Sequence, residues 1–284
     1  MIFTERSDRM NTIGKNIKSL RIRGGLTQEE LAGKLGISYQ AVSKWENEVT
    51  APDISLLPTL AAVLGTSIDA LLGYAAEKKT SAYYEERYKD SEYYWGVKPS
   101  LMCLDVLRIL PPTRPLRLLD AGCGEGKDAV FFAKNGYKVS AFDITDSGVE
   151  KAKRLAELHG VDIDFFRADI MDYRLEKDFD VIFCSGVLYY VPEGLRGEVL
   201  GNWKAHTAAG GVNALNVFVE KPFIPRPPDH DIELRKNWQS GELFGHYHDW
   251  RFERCEEVIF DCGSSGVPHK HCMDTLIAVK ETLE

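Results

Sequence analysis

No stretch of this sequence stays apolar for the ~20 residues that a bilayer-spanning helix needs. The opening, Met1-Ile-Phe-Thr-Glu-Arg6, lacks the basic-then-apolar layout of a secretory signal. Six cysteines stand at 103, 123, 184, 255, 262 and 272, too scattered for a secreted disulfide framework. These absences give the expectation of a cytoplasmic protein. No internal repeat and no low-complexity tract appears. A general excess of positive charge is also missing, since the formal net charge is −8. Any polyanion-binding surface must therefore be local.

The chain has 284 residues, enough for more than one domain, with the apolar and charged fractions of an ordinary globular protein. Its charge is uneven. Residues 1–74 carry eight Lys/Arg and eight Asp/Glu, so the excess acid lies in residues 75–284. Between Lys15 and Lys44 six basic residues meet only two acidic ones, which points to a small surface for a polyanion.

The most informative stretch is Leu118-Leu-Asp-Ala-Gly-Cys-Gly-Glu-Gly126. Two leucines run into Asp120, glycines follow at 122, 124 and 126, and Ala129, Val130, Phe132 and Ala133 carry a helical period. This predicts a buried strand, a tight turn and a helix. Glycine is needed where the backbone takes unusual dihedrals or a ligand presses on bare main chain. Lys138-Val-Ser-Ala-Phe-Asp143 is a second strand ending in a carboxylate, placed where a ribose could be held by two hydroxyls. Such turns also serve NAD and FAD, so the turn alone is ambiguous.

Its details resemble motif I of class I S-adenosylmethionine (SAM)-dependent methyltransferases, an acidic residue followed by G-x-G-x-G. Asp120, Gly122, Gly124 and Gly126 match that pattern in place. Asp143 ends the second strand, Ala168-Asp-Ile170 follows a third (Asp164-Phe-Phe-Arg167), and Phe179-Asp-Val-Ile-Phe-Cys-Ser-Gly186 is a fourth. The resemblance implies SAM as cofactor, with Asp120, Ala121, Gly122, Cys123, Gly124 and Gly126 at its approach. It further implies Asp143 with Ile144 at the ribose, Asp169 with Ile170 at the adenine, and Cys184 bordering the methionine end. Residues 82–110 are rich in aromatics, and methyltransferases of this class place such a segment over the cofactor. Tyr88 and Trp95 are the candidates from it, a sulfonium being well matched by aromatic faces.

From 116 to 219 strands alternate with helices, as in a parallel sheet. A helix over Leu195–Thr207 leads through Ala209-Gly-Gly into a fifth strand, Val212–Val219. A proline-rich insertion (Pro222, Pro225, Pro227, Pro228) follows, helical around Glu242–Trp250. Strands Phe252–Cys262 and His271–Lys280 then pair across Gly263-Ser-Ser-Gly-Val-Pro268. The expected fold class is α/β, a Rossmann-like class I methyltransferase sheet, mostly parallel with an antiparallel last strand, preceded by a small all-α helix-turn-helix domain. Gly241-Glu-Leu-Phe244, Tyr247-His-Asp-Trp250 and Asp274-Thr-Leu-Ile-Ala-Val-Lys280 resemble the TehB-like tellurite-resistance methyltransferases. The His-Arg pair of that family finds no matching place here, and His269-Lys-His271 stands instead.

The amino-terminal region reads as helices. Ile13, Ile17, Leu20 and Ile22 suggest the first, ended by Gly24-Gly25; Thr27 and Glu30 form a capping box for the second; Ser38 caps a third. Leu26-Thr-Gln-Glu-Glu-Leu-Ala32, Leu35-Gly-Ile-Ser38, Ala41-Val-Ser-Lys-Trp-Glu-Asn47 and Pro52-Asp-Ile54 resemble the Cro/C1 (Xre) helix-turn-helix family. The resemblance implies a third helix in the major groove of DNA, with Gln40, Ser43 and Lys44 outward and Val42 and Trp45 inward. Ser38 and Tyr39 open that helix, while Gln28 and Asn47 suit phosphates. Such domains sometimes serve only for dimerisation or docking. The domains expected are 10–74 (helix-turn-helix), 75–82 (linker) and 83–284 (methyltransferase).

The methyl acceptor has weaker signals. His246, His248, His269 and His271 are candidates for the substrate side, of which His246, His269 and His271 are the catalytic ones. Cys255, Cys262, His269, His271 and Cys272 lie close in sequence, but cysteines seven apart do not have zinc-site spacing. Alternation puts His271 and Cys272 on opposite faces of a strand. No metal is expected. After the fourth strand there is no Asn-Pro-Pro-Tyr-like segment, which disfavours base or amide methylation. Three readings remain: a small-molecule methyltransferase that regulates genes, a regulator using a non-catalytic SAM-binding domain as a sensor, and a DNA-directed methyltransferase. The partners expected are DNA, a small acceptor and a second copy of the chain, with no membrane.

Overall fold

The computed structural model describes residues 13–72, 77–225, 238–263 and 267–281. The chain divides between Lys79 and Thr80 into two compact units.

The first unit holds α1 (Ile13–Arg23), α2 (Gln28–Leu35), α3 (Tyr39–Glu46), α4 (Leu57–Val63) and α5 (Ile68–Leu71). Thr27 accepts from the Glu30 amide and the Glu30 side chain accepts from Thr27, the full capping box, and Gly36 ends α2 in the left-handed conformation. Ser38 caps α3 through the Ala41 amide. Ile17, Leu31, Leu35, Val42, Trp45 and Leu60 pack one core. Inside it Glu46 is almost fully buried and accepts from Arg21 Nε at 2.5 Å, Arg21 Nη2 at 2.9 Å and Gln28 Nε2 at 2.7 Å. Burial pushes the Glu46 carboxyl up, but the bonds from Arg21 and Gln28 outweigh that and hold it below its ordinary value. The trio ties α1, α2 and α3 together.

The stretch 75–82, expected as linker, is a correction in part. Residues 73–76 lie outside the described residues, but α6 (Glu77–Arg87) begins within it. Glu, Lys and Ala favour helix by propensity without needing an apolar period, and Tyr84 and Tyr88, one turn apart, are the buried anchors.

The second unit continues with α7 (Leu101–Ile109), β1 (Arg117–Ala121), α8 (Lys127–Lys134), β2 (Lys138–Asp143), α9 (Asp146–His159), β3 (Asp164–Arg167) and β4 (Phe179–Cys184). Then come α10 (Glu193–Ala205), β5 (Thr207–Val219), α11 (Glu242–Gly245), β6 (Arg251–Cys262) and β7 (His269–Val279). They form a seven-stranded sheet of order β3-β2-β1-β4-β5-β7-β6. The first five strands run parallel, and β7 alone runs the other way, antiparallel to both β5 and β6. The expected α/β class is borne out.

Alternate residues of β1 and β4 feed two cores. Leu119, Ala121, Ile182 and Cys184 face one, Leu118, Val181 and Phe183 the other. Burial on both faces explains why these strands read as continuous apolar runs. Each large side chain removed from water contributes about 1.5–3 kcal/mol. Strand order reverses between β1 and β4, so a crevice opens at their carboxyl ends.

Three local expectations shift. Ala209-Gly-Gly lies within β5 as an irregularity in its pairing with β4 instead of before the strand. The helix expected around Glu242–Trp250 is confined to α11, with turns after it. The tip of the final hairpin, residues 264–266, and Pro227 and Pro228 of the insertion lie outside the described residues.

Candidate active site

The turn after β1 is built onto the end of β2. The Gly122 and Cys123 amides both donate to the Phe142 carbonyl, at 2.9 and 2.8 Å, and the Gly124 amide donates to Asp143 Oδ2 at 2.9 Å. Asp143 Oδ1 accepts from the Thr145 amide at 3.0 Å and its hydroxyl at 2.7 Å, and Thr145 caps α9. Burial drives the Asp143 carboxyl up, and these bonds pull against the shift. Oδ2 keeps capacity for a further donor.

The three glycines have positive φ and separate tasks. A Cβ on Gly126 would stand 2.6 Å from the Ala152 Cβ, so this glycine lets α8 approach α9. A Cβ on Gly122 would meet Val187 at 2.4 Å, and one on Gly124 would meet the Tyr88 hydroxyl at 3.1 Å. Bare backbone thus faces the crevice under the loop that follows β4 and under the aromatic segment.

Two carboxylate oxygens in this region are buried without a partner: Asp120 Oδ2, at the end of β1, and Asp169 Oδ2, after β3. An orphaned buried carboxylate oxygen costs free energy unless a donor arrives. Burial, then the charge of Asp128, raises the Asp120 carboxyl. Asp169 Oδ1 accepts from the Met171 amide at 2.8 Å, yet burial still pushes the acid up to about 6. Around Asp169 stand buried Ile170 and the rings of Phe142, Phe166 and Tyr173, with centroids 5.2–5.7 Å apart. The Ala168 amide donates to the Asp143 carbonyl at 3.0 Å, and half-buried Ile144 follows Asp143. A group with a charged amine at one end, a diol in the middle and a flat aminated ring at the other fits this donor and acceptor set.

The aromatic segment covers Gly124. Tyr88 is buried, its hydroxyl accepts from Trp95 Nε1 at 2.8 Å, and burial followed by the charge of Asp143 raises it well above an ordinary tyrosine. Trp95 stays partly exposed. Tyr84 and Tyr190 share a hydroxyl bond at 2.8 Å, and the Tyr189 hydroxyl donates to Tyr190 at 3.0 Å. Sequence reading missed what fastens the segment. Lys151 Nζ lies 2.6 Å from Glu125 Oε1 and donates to the carbonyls of Asp90 and Glu92 at 2.8 and 2.6 Å, while Glu125 Oε2 accepts from the Trp95 amide at 3.2 Å. Asn216 was missed as well; it accepts from the Gly186 amide at 2.7 Å and donates to Ser185 Oγ at 3.1 Å, shaping the loop after β4. A charged residue inside a helix and an asparagine inside a strand carry no sequence signal for these tasks.

Cys184 ends β4 as expected, its thiol wholly buried in the core and raised by burial. The substrate-side histidines separate. Antiparallel β7 begins opposite the carboxyl end of β5, which puts His269 and His271 at the glycine-turn edge of the sheet. Their Nε2 atoms are 2.9 Å apart, and His271 packs on Phe218, which packs on Tyr189. His246 is on a different element: its ring lies 6.2 Å from that of Trp238, which bridges Val219 at the end of β5, and its carbonyl accepts from Lys204. His248 is exposed, in the turns after α11, its Nδ1 2.9 Å from the Gly245 carbonyl.

In the first unit Gln40 and Lys44 are exposed on α3, Ser43 is half-buried, and Val42 and Trp45 face inward. Tyr39 is exposed. Ser38 and Asn47 are occupied as caps, Asn47 Nδ2 donating to the Ser43 carbonyl at 2.9 Å. Gln28 is half-buried and its amide nitrogen donates to Glu46.

Comparison with known proteins agrees with this geometry. Residues 118–211 match the family described as a methyltransferase domain, and residues 17–71 match the helix-turn-helix family. A probable SAM-dependent methyltransferase, TehB of Haemophilus influenzae, is 23% identical over 189 residues, 66% of this chain and 61% of that protein. The chain thus spans about three fifths of the length of the curated relatives it matches first. The crystal structure of TehB from Haemophilus influenzae superposes with a TM-score of 0.57 at 21% identity, covering 71% of this chain and 67% of that one. Magnesium protoporphyrin IX methyltransferase from Synechocystis with bound SAM gives 0.52 at 16% identity, covering 72% and 97%.

Replacing Lys151 by Met strands the buried Glu125 carboxylate. We expect a loss of about 3–5 kcal/mol in chemical denaturation of the larger unit, much of it recovered in Glu125→Gln/Lys151→Met. A loss in the single variant no greater than in the double would show that the ion pair does not tie down the aromatic segment.

Proposed function

We propose that this chain, in which a Cro/C1-type helix-turn-helix domain precedes a TehB-like class I methyltransferase domain, methylates a small acceptor and binds operator DNA. The observation that carries the methyltransferase reading is the pair of partnerless buried oxygens, Asp120 Oδ2 and Asp169 Oδ2. They flank a crevice floored by Gly122 and Gly124, with Asp143 between. SAM supplies an electrophilic methyl on a sulfonium. The chain's part is to hold it: Asp120 takes the ammonium, Asp143 the ribose hydroxyls, and Asp169 the adenine amino group beside Ile144 and Ile170. Tyr88 and Trp95 exclude water from above.

Displacement at a sulfonium methyl asks mainly for alignment of nucleophile and methyl. A soft acceptor, a thiol or a chalcogen oxyanion such as tellurite, needs little help from a base. The loop after β4, Ser185-Gly-Val-Leu188, presents no amide-rich clamp for a nucleobase, which supports the small acceptor. His269 and His271 stand at the matching edge, beside the acceptor's place.

On the DNA side, exposed Gln40 and Lys44 read and anchor, and a second copy of the chain completes the site, since one recognition helix rarely supplies enough affinity. Gene regulation by the same chain follows from this arrangement.

Calorimetric titration with SAM tests the cofactor site. Asp143→Ala should weaken binding by about 10- to 100-fold, as loss of bonds to a charged group implies, with Asp143→Asn and thermal melts controlling for the fold. No binding to the wild type would sink the reading, and an acceptor screen on the binding-competent protein separates turnover from sensing.

The pH dependence has a definite sign. Asp169, raised to about 6 by burial, keeps a proton in the folded protein between about pH 4 and 6 that the unfolded chain has lost, so its contribution to stability falls as pH rises through that window and then levels. An amino donor from the cofactor favours the ionised form. SAM affinity should therefore fall as pH drops below about 6, and Asp169→Asn should flatten that part of the profile.

For the DNA reading, an operator selected from random duplexes should lose about 1–3 kcal/mol of binding on Gln40→Ala. Lys44→Ala should weaken all sequences alike. Equal binding by both variants and the wild type would leave the domain a docking module.

A further inference from the structure

The final hairpin brings together three residues that their spacing kept apart. Cys262 ends β6 and His269 opens β7, and the two are directly paired in the ladder. His271, two residues on, shares their face. Ligand atoms of Cys262, His269 and His271 all lie within 4.8 Å of one another, the one such grouping of at least three His, Cys, Asp or Glu among the described residues. Cys272, which expectation set on the opposite face, is there, in the core with Leu276.

We propose that Cys262, His269 and His271 bind a soft divalent cation of the zinc class, as a three-ligand site with an open fourth position. The thiolate and imidazole set selects this class over calcium or magnesium, which take oxygen ligands. Tetrahedral zinc, with bonds of about 2.0–2.1 Å to nitrogen and 2.3 Å to sulfur, sets its ligand atoms about 3.3–3.7 Å apart. The present spacings, 2.9 Å between the two Nε2 atoms and at most 4.8 Å overall, bracket those values. Small rotations of the side chains suffice.

The ring of His269 is already oriented. Its Nδ1 lies 2.7 Å from the Val267 carbonyl, which can only accept, so Nδ1 carries the hydrogen and Nε2 the lone pair. A ligating histidine usually donates its second nitrogen in this way to a carbonyl or carboxylate. His271 Nε2 then donates its hydrogen to His269 Nε2. The cation takes the place of that shared proton, and His271 moves its hydrogen to Nδ1. His271 is held by ring contacts to Phe218 and Phe260, with centroids 4.7 and 5.8 Å away.

Three protein ligands leave one position for water or an incoming ligand, unlike the four of a closed structural site. That position lies at the carboxyl edge of the parallel strands, linked through Phe218 to Tyr189.

The test uses tag-free, full-length protein stripped with a chelator and titrated with Zn²⁺ against a colorimetric competitor, then with Co²⁺. We expect one equivalent per chain, and a cobalt spectrum with tetrahedral d–d intensity and a thiolate charge-transfer band. Losing a group that only hydrogen-bonds a metal ligand commonly costs about 10- to 100-fold in affinity, so Cys262→Ser and His269→Gln, which remove a ligand atom, should each cost at least that much. The charge-transfer band should vanish in Cys262→Ser. Both positions are only half-buried, so the variants should fold, which thermal melts verify. Cys255→Ser, on the exposed part of β6, should bind as the wild type does. Absence of stoichiometric binding, affinity unchanged in Cys262→Ser and His269→Gln, or one ion per two chains would overturn the proposal.

Discussion

The bond from the Gly124 amide to the Asp143 carboxylate is the contact on which the site depends. It joins the turn after β1 to the end of β2, and the same carboxylate accepts from Thr145, the cap of α9. The strand order places β1 beside β4 at the reversal, so this junction stands at the mouth of the crevice. A buried carboxylate is costly unless donors surround it. Here the donors are backbone amides whose positions follow from the glycine dihedrals, and the residue that would face a ribose is oriented before any ligand arrives.

Around that junction the molecule leaves polar capacity unused. Asp120 and Asp169 each keep one buried oxygen without a donor, and burial raises both acids. Groups of this kind weaken a fold that has no further use for them. The Lys151–Glu125 pair is the opposite case, a buried charge pair whose partners are satisfied by carbonyls and an amide of the segment it secures. Cost is accepted at the crevice and recovered in its cover.

The smaller unit follows the same logic with different parts. Arg21, Glu46 and Gln28 form a buried polar trio that locks three helices, while Gln40 and Lys44 remain outward on α3. The outward positions of α3 stay polar, and the interior carries the constraint.

Much of this was legible in the sequence. Asp120 and the glycines that follow it, the carboxylate closing Lys138–Asp143, the Thr27 capping box and the inward Val42 and Trp45 are short-range patterns, and short-range geometry is set by neighbours in the chain. The helix at Glu77–Arg87 was not legible, because it rests on propensity and on two buried tyrosines instead of a full apolar face. Contacts made across long separations were beyond reach: Lys151 reaching back to Asp90 and Glu92, and Asn216 shaping the loop at Gly186. Residue type determined by itself that a glycine turn meets a carboxylate here and that α3 shows a polar face. Only the tertiary structure decided which histidines and which cysteine come together, because the strand register that sets Cys262 opposite His269 belongs to the whole sheet and not to either strand.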